Sequence, residues 1–204
     1  MADEQEPVYL QAARWVATGG IVAFRTDTFY GLGADPLNQQ AVKAIRRLKG
    51  RDEGKPILLL ISDPSQVSRF ILSPSQQFRE VSRRCWPGPL TIVDQARPEL
   101  PVELTAGSET IGLRLPDDER VCKLVRVCGG ALTATSANLS GVAPARTAAE
   151  VRTYFPSGID LIIDEGEVTA DQPSTVLDLS GAKPRVVRQG AVTLANLQEV
   201  LGEL

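Results

Sequence analysis

The sequence is marked by short apolar segments, each of which ends at polar residues or glycine. Examples are IVAF at 21–24, ILLLI at 57–61 and LTIV at 90–93. Segments this short are typical of buried strands, since most helices are longer. Stretches with the apolar spacing of helices lie between them, but helices and strands do not alternate regularly. The sequence therefore predicts one α/β domain with a mixed, twisted β-sheet flanked by helices.

Local signals predict the order of the elements. Asn38 can cap a helix that Gly50 ends, and residues 147–150 have the pattern of a capping box that opens another helix. Residues 24–35, FRTDTFYGLGAD, are predicted to be a strand end followed by a polar loop with two glycines. The other predicted strands are at 111–115, 131–135, 161–164, 174–179 and 185–187. The other predicted helices are at 7–18, near Asp63, at about 74–85, at 117–128 and at about 193–201.

Length and charge limit the class of protein. We predict a single domain over residues 1–204, with a core at about 7–192 and a C-terminal helix at about 193–202. The net charge of −3 argues against a protein that is basic overall and binds nucleic acid, although it is compatible with a local basic patch. The N-terminus is acidic rather than signal-like, and no run of 18 apolar residues exists. We therefore expect a cytoplasmic protein with no membrane association.

The chain contains no histidine. This absence excludes a Ser-His-Asp triad, a Cys-His pair and any zinc site of the Cys/His type. The three cysteines, Cys85, Cys122 and Cys128, form no CxxC pair. Because no activating base is evident for them, they are interpreted as reduced structural thiols rather than as nucleophiles.

One stretch, RRLKGRDEGKP at 46–56, is strongly basic, with five cationic side chains against two acids. Cationic side chains at the end of a helix interact favourably with the helix dipole, which accounts for the first three of them, and Arg46 and Arg47 are expected to be exposed there. Arg51 and Lys55 follow the helix beside glycines, where they could converge on phosphate oxygens. The residues alone leave both interpretations open, and the absence of GxxxxGK[ST] excludes a P-loop.

Other polar groups follow or interrupt the predicted strands. TATSANLSG at 133–141 combines four hydroxyls with an amide, which suits either phosphate and magnesium contacts or local turns. Arg114 lies within IGLRL on the face opposite to its apolar neighbours, so it either faces solvent or is held inward by an anion. QPSTVLDLS at 172–180 again opens a strand with hydroxyls, and Arg188 ends RVVR in a similar position.

Taken together, seven stretches resemble the YrdC-type threonylcarbamoyl-AMP synthase family over nearly the whole chain. They are, in the family's order, GGIVAFRTDTFYGLGAD, RLKGRDEGKPI, WPGPLTIV, TAGSETIGLRLP, TSANLSG, PSTVLDLS and VVRQGAV. The motifs K-x-R and S-x-N, at Lys49, Arg51, Ser136 and Asn138, are similar to the family's signature. The resemblance implies the short, single-domain form and an open sheet whose concave face carries the active site.

The resemblance also implies a reaction. The implied enzyme is a nucleotidyltransferase that forms threonylcarbamoyl-AMP and pyrophosphate from L-threonine, bicarbonate or CO2, and ATP. Mg²⁺ is expected to accompany ATP, with no protein ligands assigned to the metal. The product is expected to pass to a tRNA-modifying threonylcarbamoyl transferase complex, and weak tRNA binding is a further expectation.

The positions that match the family's motifs give the site residues that the resemblance implies for this sequence. Lys49 and Arg51 are the expected catalytic residues. The expected ATP-binding residues are Lys49, Arg51, Lys55, Thr110, Ser136, Asn138, Pro144 and Arg188. The expected threonine-binding residues are Thr28, Arg114, Ala134 (through its backbone) and Ser174. Because threonine supplies the nucleophile, the protein needs to supply only positioning and charge neutralisation, which agrees with the missing histidine.

Three positions depart from the family pattern. Arg25 stands where proline is common, Phe29 where valine is usual, and Leu60 where some members have a histidine that contacts threonine. Two alternative functions stay open. One is a double-stranded RNA or tRNA-binding module that uses basic residues on phosphates, and the other is a nucleotide-hydrolysing or carbamoyl-transfer member of the same fold family. The acidic overall charge disfavours the first, and the presence of both motifs disfavours the second.

Overall fold

The computed structural model describes residues 6–50 and 56–202. Its helices are α1 (Glu6–Ala17), α2 (Gln39–Lys49), α3 (Gln76–Cys85), α4 (Val102–Thr105), α5 (Glu119–Val127), α6 (Ala148–Tyr154) and α7 (Leu194–Leu201), with a 3-10 helix at Pro64–Arg69. Its strands are β1 (Val22–Arg25), β2 (Tyr30–Gly33), β3 (Leu58–Ile61), β4 (Leu90–Gln95), β5 (Thr110–Arg114), β6 (Ala131–Ser136), β7 (Leu161–Ile162), β8 (Thr175–Asp178) and β9 (Arg185–Arg188). The predicted strands are therefore all present, within about two residues at each end.

Within the described ranges the strands form one sheet of nine, in the order β7-β1-β2-β6-β3-β5-β4-β8-β9. The pairs β1–β7, β3–β5 and β4–β8 are parallel, and the other neighbours are antiparallel. Strands that are far apart in the chain thus lie side by side at the centre. The single α/β domain with an open, mixed sheet flanked by helices is confirmed.

The prediction of a loop after β1 was wrong for residues 30–33, which form β2. This strand pairs with β1 on one side and, through Gly31 and Leu32, with β6 on the other. A Cβ atom at Gly33 would lie 2.7 Å from the ring of Phe24, so the glycine lets the two strands pack closely. Close packing thus accounts for Gly33, whereas a Cβ atom at Gly31 would have its nearest contact at 3.6 Å, an ordinary distance.

The predicted helix ends are mostly confirmed. Asn38 accepts hydrogen bonds from the amides of Gln40 and Ala41, and Gly50 ends α2 with a left-handed φ of 55°. Thr147 caps α6, but the capping box predicted there is incomplete, because Glu150 accepts from the amide of Arg146 instead of that of Thr147. A complete capping box occurs at the start of α7. The short helix α4 was not predicted, since four residues carry too little periodicity.

Two apolar clusters cover the two faces of the sheet. The larger contains Leu59 and Leu113 together with the buried sides of α2, α3 and α6. The smaller contains Phe24 and Leu60 together with the buried sides of α1 and α5. Arg114 pairs with Leu60 across β3 and β5, so it lies on the face of the smaller cluster. The alternation within IGLRL had placed Arg114 opposite its apolar neighbours, and the register confirms this.

Candidate active site

A cavity of about 170 Å³ opens on the sheet face that carries Arg114. Its walls come from the β1–β2 turn, from β3, β4, β5 and β6, from the residues just before β8, and from the end of β9. The lining residues are Thr26, Thr28, Phe29, Tyr30, Gly31, Leu58, Leu59, Leu60, Thr91, Arg114, Ala134, Thr135, Ser136, Pro144, Pro173, Ser174 and Arg188. Hydroxyls, two guanidinium groups and a leucine-rich wall therefore converge on one space.

Arg114 is the central polar residue of this cavity and is only 4% exposed. Its Nε donates to the carbonyl of Gly88 at 3.0 Å, and its Nη1 donates to Oγ1 of Thr28 at 3.2 Å. Its Nη2 forms an ion pair with Oδ2 of Asp27. A guanidinium has five N–H donors, so these three bonds fix its plane and leave two donors for a ligand.

The turn between β1 and β2 places Asp27 and Thr28 against Arg114. Oγ1 of Thr26 accepts from the amides of Thr28 at 3.1 Å and Phe29 at 3.2 Å, and it donates to the carbonyl of Phe29 at 2.6 Å. A hydroxyl that bonds to nearby backbone in this way stabilises a tight turn. The TDT sequence thus orients one carboxylate and one hydroxyl toward the same guanidinium.

A second set of hydroxyls lies around Ser174, just before β8. Its Oγ is 3.0 Å from Oγ1 of Thr91. Arg188 donates to the carbonyl of Ser174 from Nε at 3.1 Å and from Nη2 at 2.8 Å, and to its Oγ at 2.9 Å. Parallel pairing of β8 with β4 and antiparallel pairing with β9 bring these three residues together.

The motifs K-x-R and S-x-N meet where α2 ends beside the exit of β6. Lys49 is 5% exposed, and its Nζ donates to the carbonyl of Ser136, to the carbonyl of Asn138 at 2.8 Å and to Oδ1 of Asn138 at 3.2 Å. Oγ of Ser136 donates to the same Oδ1 at 2.5 Å. An ammonium has three N–H donors, so Lys49 must exchange at least one of these acceptors to bind a phosphate oxygen.

The cavity is electrostatically suited to an anion. Burial lowers the pKa of the Arg114 guanidinium, and the Asp27 carboxylate partly offsets that effect. Burial, and then the positive charge of Arg114, also lower the pKa of Arg188. Both side chains stay protonated, because arginine does not lose its proton in proteins. None of the described lining residues is acidic; Asp27 offsets the charge of Arg114 from outside this lining, and Arg188 adds a further positive charge.

The structure brings together most of the residues that the sequence singled out. Thr28, Arg114, Ala134, Ser136, Pro144, Ser174 and Arg188 line the cavity. Lys49 and Asn138 are joined to it through Ser136. Thr110 does not line the cavity: it begins β5, which Arg114 ends, and its Oγ1 is 3.3 Å from Oγ of Ser108. Arg51 and Lys55 lie outside the described residues.

Two important residues of the site were missed in the sequence. Asp27, which holds Arg114, was read only as part of a polar loop end. Thr91, which contacts Ser174, lies in the apolar segment LTIV and is 1% exposed. A hydroxyl in an otherwise apolar strand is a signal that could have identified Thr91, but threonine is also a common strand residue.

Two of the three residues that depart from the family pattern line the cavity, and the third does not. Leu60 and Phe29 line the cavity, and Leu60 is 2% exposed. Arg25 does not line it, and its Nη1 instead pairs with Oδ2 of Asp118 at 3.2 Å. The part of the cavity around position 60 is therefore more apolar than a histidine there would make it.

Arg46 was interpreted as an exposed charge at the end of α2, and this was wrong. It is half-buried, and its Nε donates to the carbonyl of Glu103 at 2.6 Å. Arg47 is exposed, as predicted. The difference arises from α4, which packs against α2 and which the sequence did not reveal.

Two features are absent from residues 6–50 and 56–202. None of the helices there combines the length and the apolar character needed to cross a bilayer. In the same ranges no three cysteine, aspartate or glutamate side chains gather where they could hold a metal ion.

Fold and cavity together define an open-sheet α/β protein with an arginine-lined cavity on one sheet face. The model of the Sua5/YciO/YrdC family, described as "Telomere recombination", matches residues 14–190. A threonylcarbamoyl-AMP synthase of Thiobacillus denitrificans is 39% identical over 170 residues, which are 83% of this chain and 89% of that protein. The chain belongs to the Sua5/YciO/YrdC family, so the resemblance noted in the sequence is confirmed.

Longer relatives match this chain over part of their own length. A threonylcarbamoyl-AMP synthase of Pyrococcus abyssi is 35% identical over 193 residues, which are 95% of this chain but 57% of that protein. The crystal structure of P. abyssi Sua5 complexed with L-threonine has a TM-score of 0.92 at 35% identity and covers 96% of this chain and 58% of its own. The chain thus spans a little over half the length of these two relatives.

Proposed function

We propose that this protein is an L-threonylcarbamoyladenylate synthase, an enzyme of the nucleotidyltransferase class. Its substrates would be L-threonine, bicarbonate or CO2, and ATP with Mg²⁺, and its products threonylcarbamoyl-AMP and pyrophosphate. Relatives that align over most of this chain bear the name threonylcarbamoyl-AMP synthase. The observation that carries the proposal is the buried Arg114 with Thr28 and Ser174 in a cavity of a fold that closely matches a threonine-bound Sua5.

The amino acid is assigned to the Arg114 side of the cavity. A planar guanidinium with two remaining N–H donors suits a planar carboxylate, which can accept two parallel hydrogen bonds. Hydroxyls of Thr28 and Ser174 and the backbone of Ala134 line the same space, and they would orient the rest of the molecule. Leu60 supplies an apolar wall that suits the methyl group of threonine.

The nucleotide is assigned to the side of the cavity that Ser136 and Pro144 line, next to Lys49. Lys49, Arg51 and Lys55, together with the magnesium that ATP carries, would neutralise the triphosphate and the leaving pyrophosphate. Ser136, Asn138, Pro144 and Arg188 would contact the nucleotide, and Thr110 is assigned to its outer part. In this proposal the neutral amine of threonine attacks CO2 and loses a proton to give a carbamate. A carbamate oxygen then attacks the α-phosphorus, and the bond from that phosphorus to the bridging oxygen of the departing pyrophosphate breaks.

The product, a mixed anhydride of a carbamate and AMP, would be consumed by a threonylcarbamoyl transferase complex that modifies tRNA. We place this step in the cytoplasm. Weak binding of tRNA is compatible with the basic stretch at 46–56. A nucleic-acid-binding module as the main function is not favoured, because the net charge of the chain is −3 and the arginines of the cavity are engaged in a small enclosed space.

The proposal is tested by incubating the protein with ATP, Mg²⁺, L-threonine and bicarbonate. We expect pyrophosphate release that requires both threonine and bicarbonate, and a mass-spectrometric signal for threonylcarbamoyl-AMP. Omission of each substrate in turn is the control. Salt-sensitive binding of RNA without any threonine-dependent turnover would instead support the nucleic-acid-binding alternative.

The mechanism uses no protein nucleophile, so blocking the cysteines should leave activity intact. Burial raises the pKa of Cys128 to about 12, and it also raises the pKa values of Cys85 and Cys122. Since the thiolate is the reactive form, all three react slowly at neutral pH. After treatment with iodoacetamide at neutral pH, we expect unchanged pyrophosphate release. A loss of activity in proportion to one modified cysteine, followed by intact mass, would contradict this mechanism.

A further inference from the structure

We propose that Asp27 is a positioning residue that holds the guanidinium of Arg114 in the orientation needed for the amino-acid carboxylate. This inference rests on the proposed function, because it assigns a role in the binding of the same substrate. The two carboxylate oxygens of Asp27 differ in their bonding. Oδ2 of Asp27 pairs with Nη2 of Arg114, whereas Oδ1 is buried and has no hydrogen-bond partner among the described residues.

A buried carboxylate oxygen without a partner is costly, so such a group calls for a specific explanation. The β1–β2 turn offers one. Thr26 fixes the backbone of the turn by accepting from the amides of Thr28 and Phe29, which leaves the Asp27 side chain directed at Arg114. The turn thus satisfies one carboxylate oxygen and the guanidinium together, and leaves the other oxygen unpaired.

Asp27 reaches Arg114 from outside the cavity. Thr28 and Arg114 line the cavity described above, but Asp27 does not. Asp27 lines a second hollow of about 430 Å³ together with Asp117 and Gln172, and Thr28 borders both spaces. A ligand in the first cavity would therefore meet the guanidinium and not the Asp27 carboxylate. Asp27 acts through Arg114, which makes it a positioning rather than a catalytic residue.

Three contacts together define the plane of the guanidinium: the carbonyl of Gly88 on Nε, Thr28 on Nη1, and Asp27 on Nη2. Gly88 is a backbone acceptor, and a neutral hydroxyl is a weaker acceptor than a carboxylate. Asp27 is the side chain that holds Nη2, so a residue at position 27 must place an oxygen at the same reach to keep this orientation.

Two substitutions separate geometry from charge. Asp27→Asn keeps an oxygen of the same reach for Nη2 but removes the charge, and Asp27→Glu keeps the charge but moves the carboxylate by one methylene. If Asp27 positions Arg114, Asp27→Glu raises the KM for threonine by about tenfold or more, which is the effect of a lost, well-aligned hydrogen bond to a charged group. In Asp27→Asn, the KM for threonine stays within about threefold of the wild-type value. The matched control is Asp117→Asn, an exposed aspartate of the same hollow, which should change nothing.

The measurement is the steady-state KM and kcat for threonine and for ATP, with the dissociation constant for L-threonine from calorimetry. A positioning role changes the KM for threonine alone, whereas a general loss of structure lowers kcat and raises both KM values. Unchanged threonine KM in folded Asp27→Glu, or equal loss in Asp27→Asn and Asp27→Glu, would overturn the inference. If the wild type makes no product, the proposed function fails, and the threonine dissociation constants alone then decide the role of Asp27; no binding of threonine by the wild type also overturns it.

Discussion

Replacing Arg114 with alanine is expected to abolish most threonine-dependent turnover. The guanidinium is buried beside the proposed carboxylate position, and truncation of one partner of a buried, hydrogen-bonded charge pair typically costs about 2–5 kcal/mol. At about 1.4 kcal/mol for each factor of ten, the expected loss in kcat/KM for threonine is about 30-fold to about 4,000-fold. Arg114→Lys should recover little, because an ammonium cannot make the paired contacts of a guanidinium.

The test of Arg114 must separate binding from folding, because Arg114→Ala leaves Asp27 without its partner. Loss of one member of a buried ion pair destabilises a protein by about 3–5 kcal/mol, so the melting temperature is measured beside the kinetics. The matched control is Arg185→Ala, since Arg185 pairs with Asp178 outside the cavity and its side chain is 74% exposed. A folded Arg114→Ala protein with wild-type kinetics for threonine would refute the assignment of the carboxylate.

Gly190→Ala is expected to lower both stability and activity. A Cβ atom at position 190 would lie 2.2 Å from the carbonyl oxygen of Pro173, 2.7 Å from the carbonyl carbon of Ser174 and 2.7 Å from the amide nitrogen of Thr175. All three neighbours are backbone atoms, so no flexible side chain can move aside. The main chain that carries Ser174 must shift instead, and with it the hydrogen bonds that Arg188 makes to that residue.

Overpacking of this kind costs about 1–3 kcal/mol and occasionally more. For a chain of this size, that corresponds to a fall in melting temperature of about 2–12 °C. Thermal unfolding and threonine KM are the measurements. Gly181→Ala is the matched control, because its Cβ would have its nearest contact at 3.9 Å and it should leave both quantities unchanged. Equal melting temperatures for the two variants would show that the backbone around Ser174 accommodates the methyl group.

Sequence patterns predicted the structure reliably wherever the signal is local. Buried strands have short apolar runs, and helices have caps such as Asn38 and Thr193, because these patterns depend on residues close together in the chain. The strand β2 and the helix α4 were missed for the opposite reason. Gly31 and Gly33 belong to a strand only because β1 and β6 lie on either side of it, and α4 is held by its contact with α2.

The same distinction holds within the site. By itself, the sequence determined the α/β class, the absence of any histidine-based mechanism and the ordered motifs that mark the family, since each depends only on residue identity and order. Tertiary structure decided which partner each charge has. Arg114 meets Asp27 across 87 residues of chain, and Lys49 meets the carbonyl of Ser136 across another 87. These pairings follow from the strand order, in which distant segments become neighbours through backbone hydrogen bonds that any residue can make. Side-chain patterns specify which face of a strand is buried, but not which strand lies beside it.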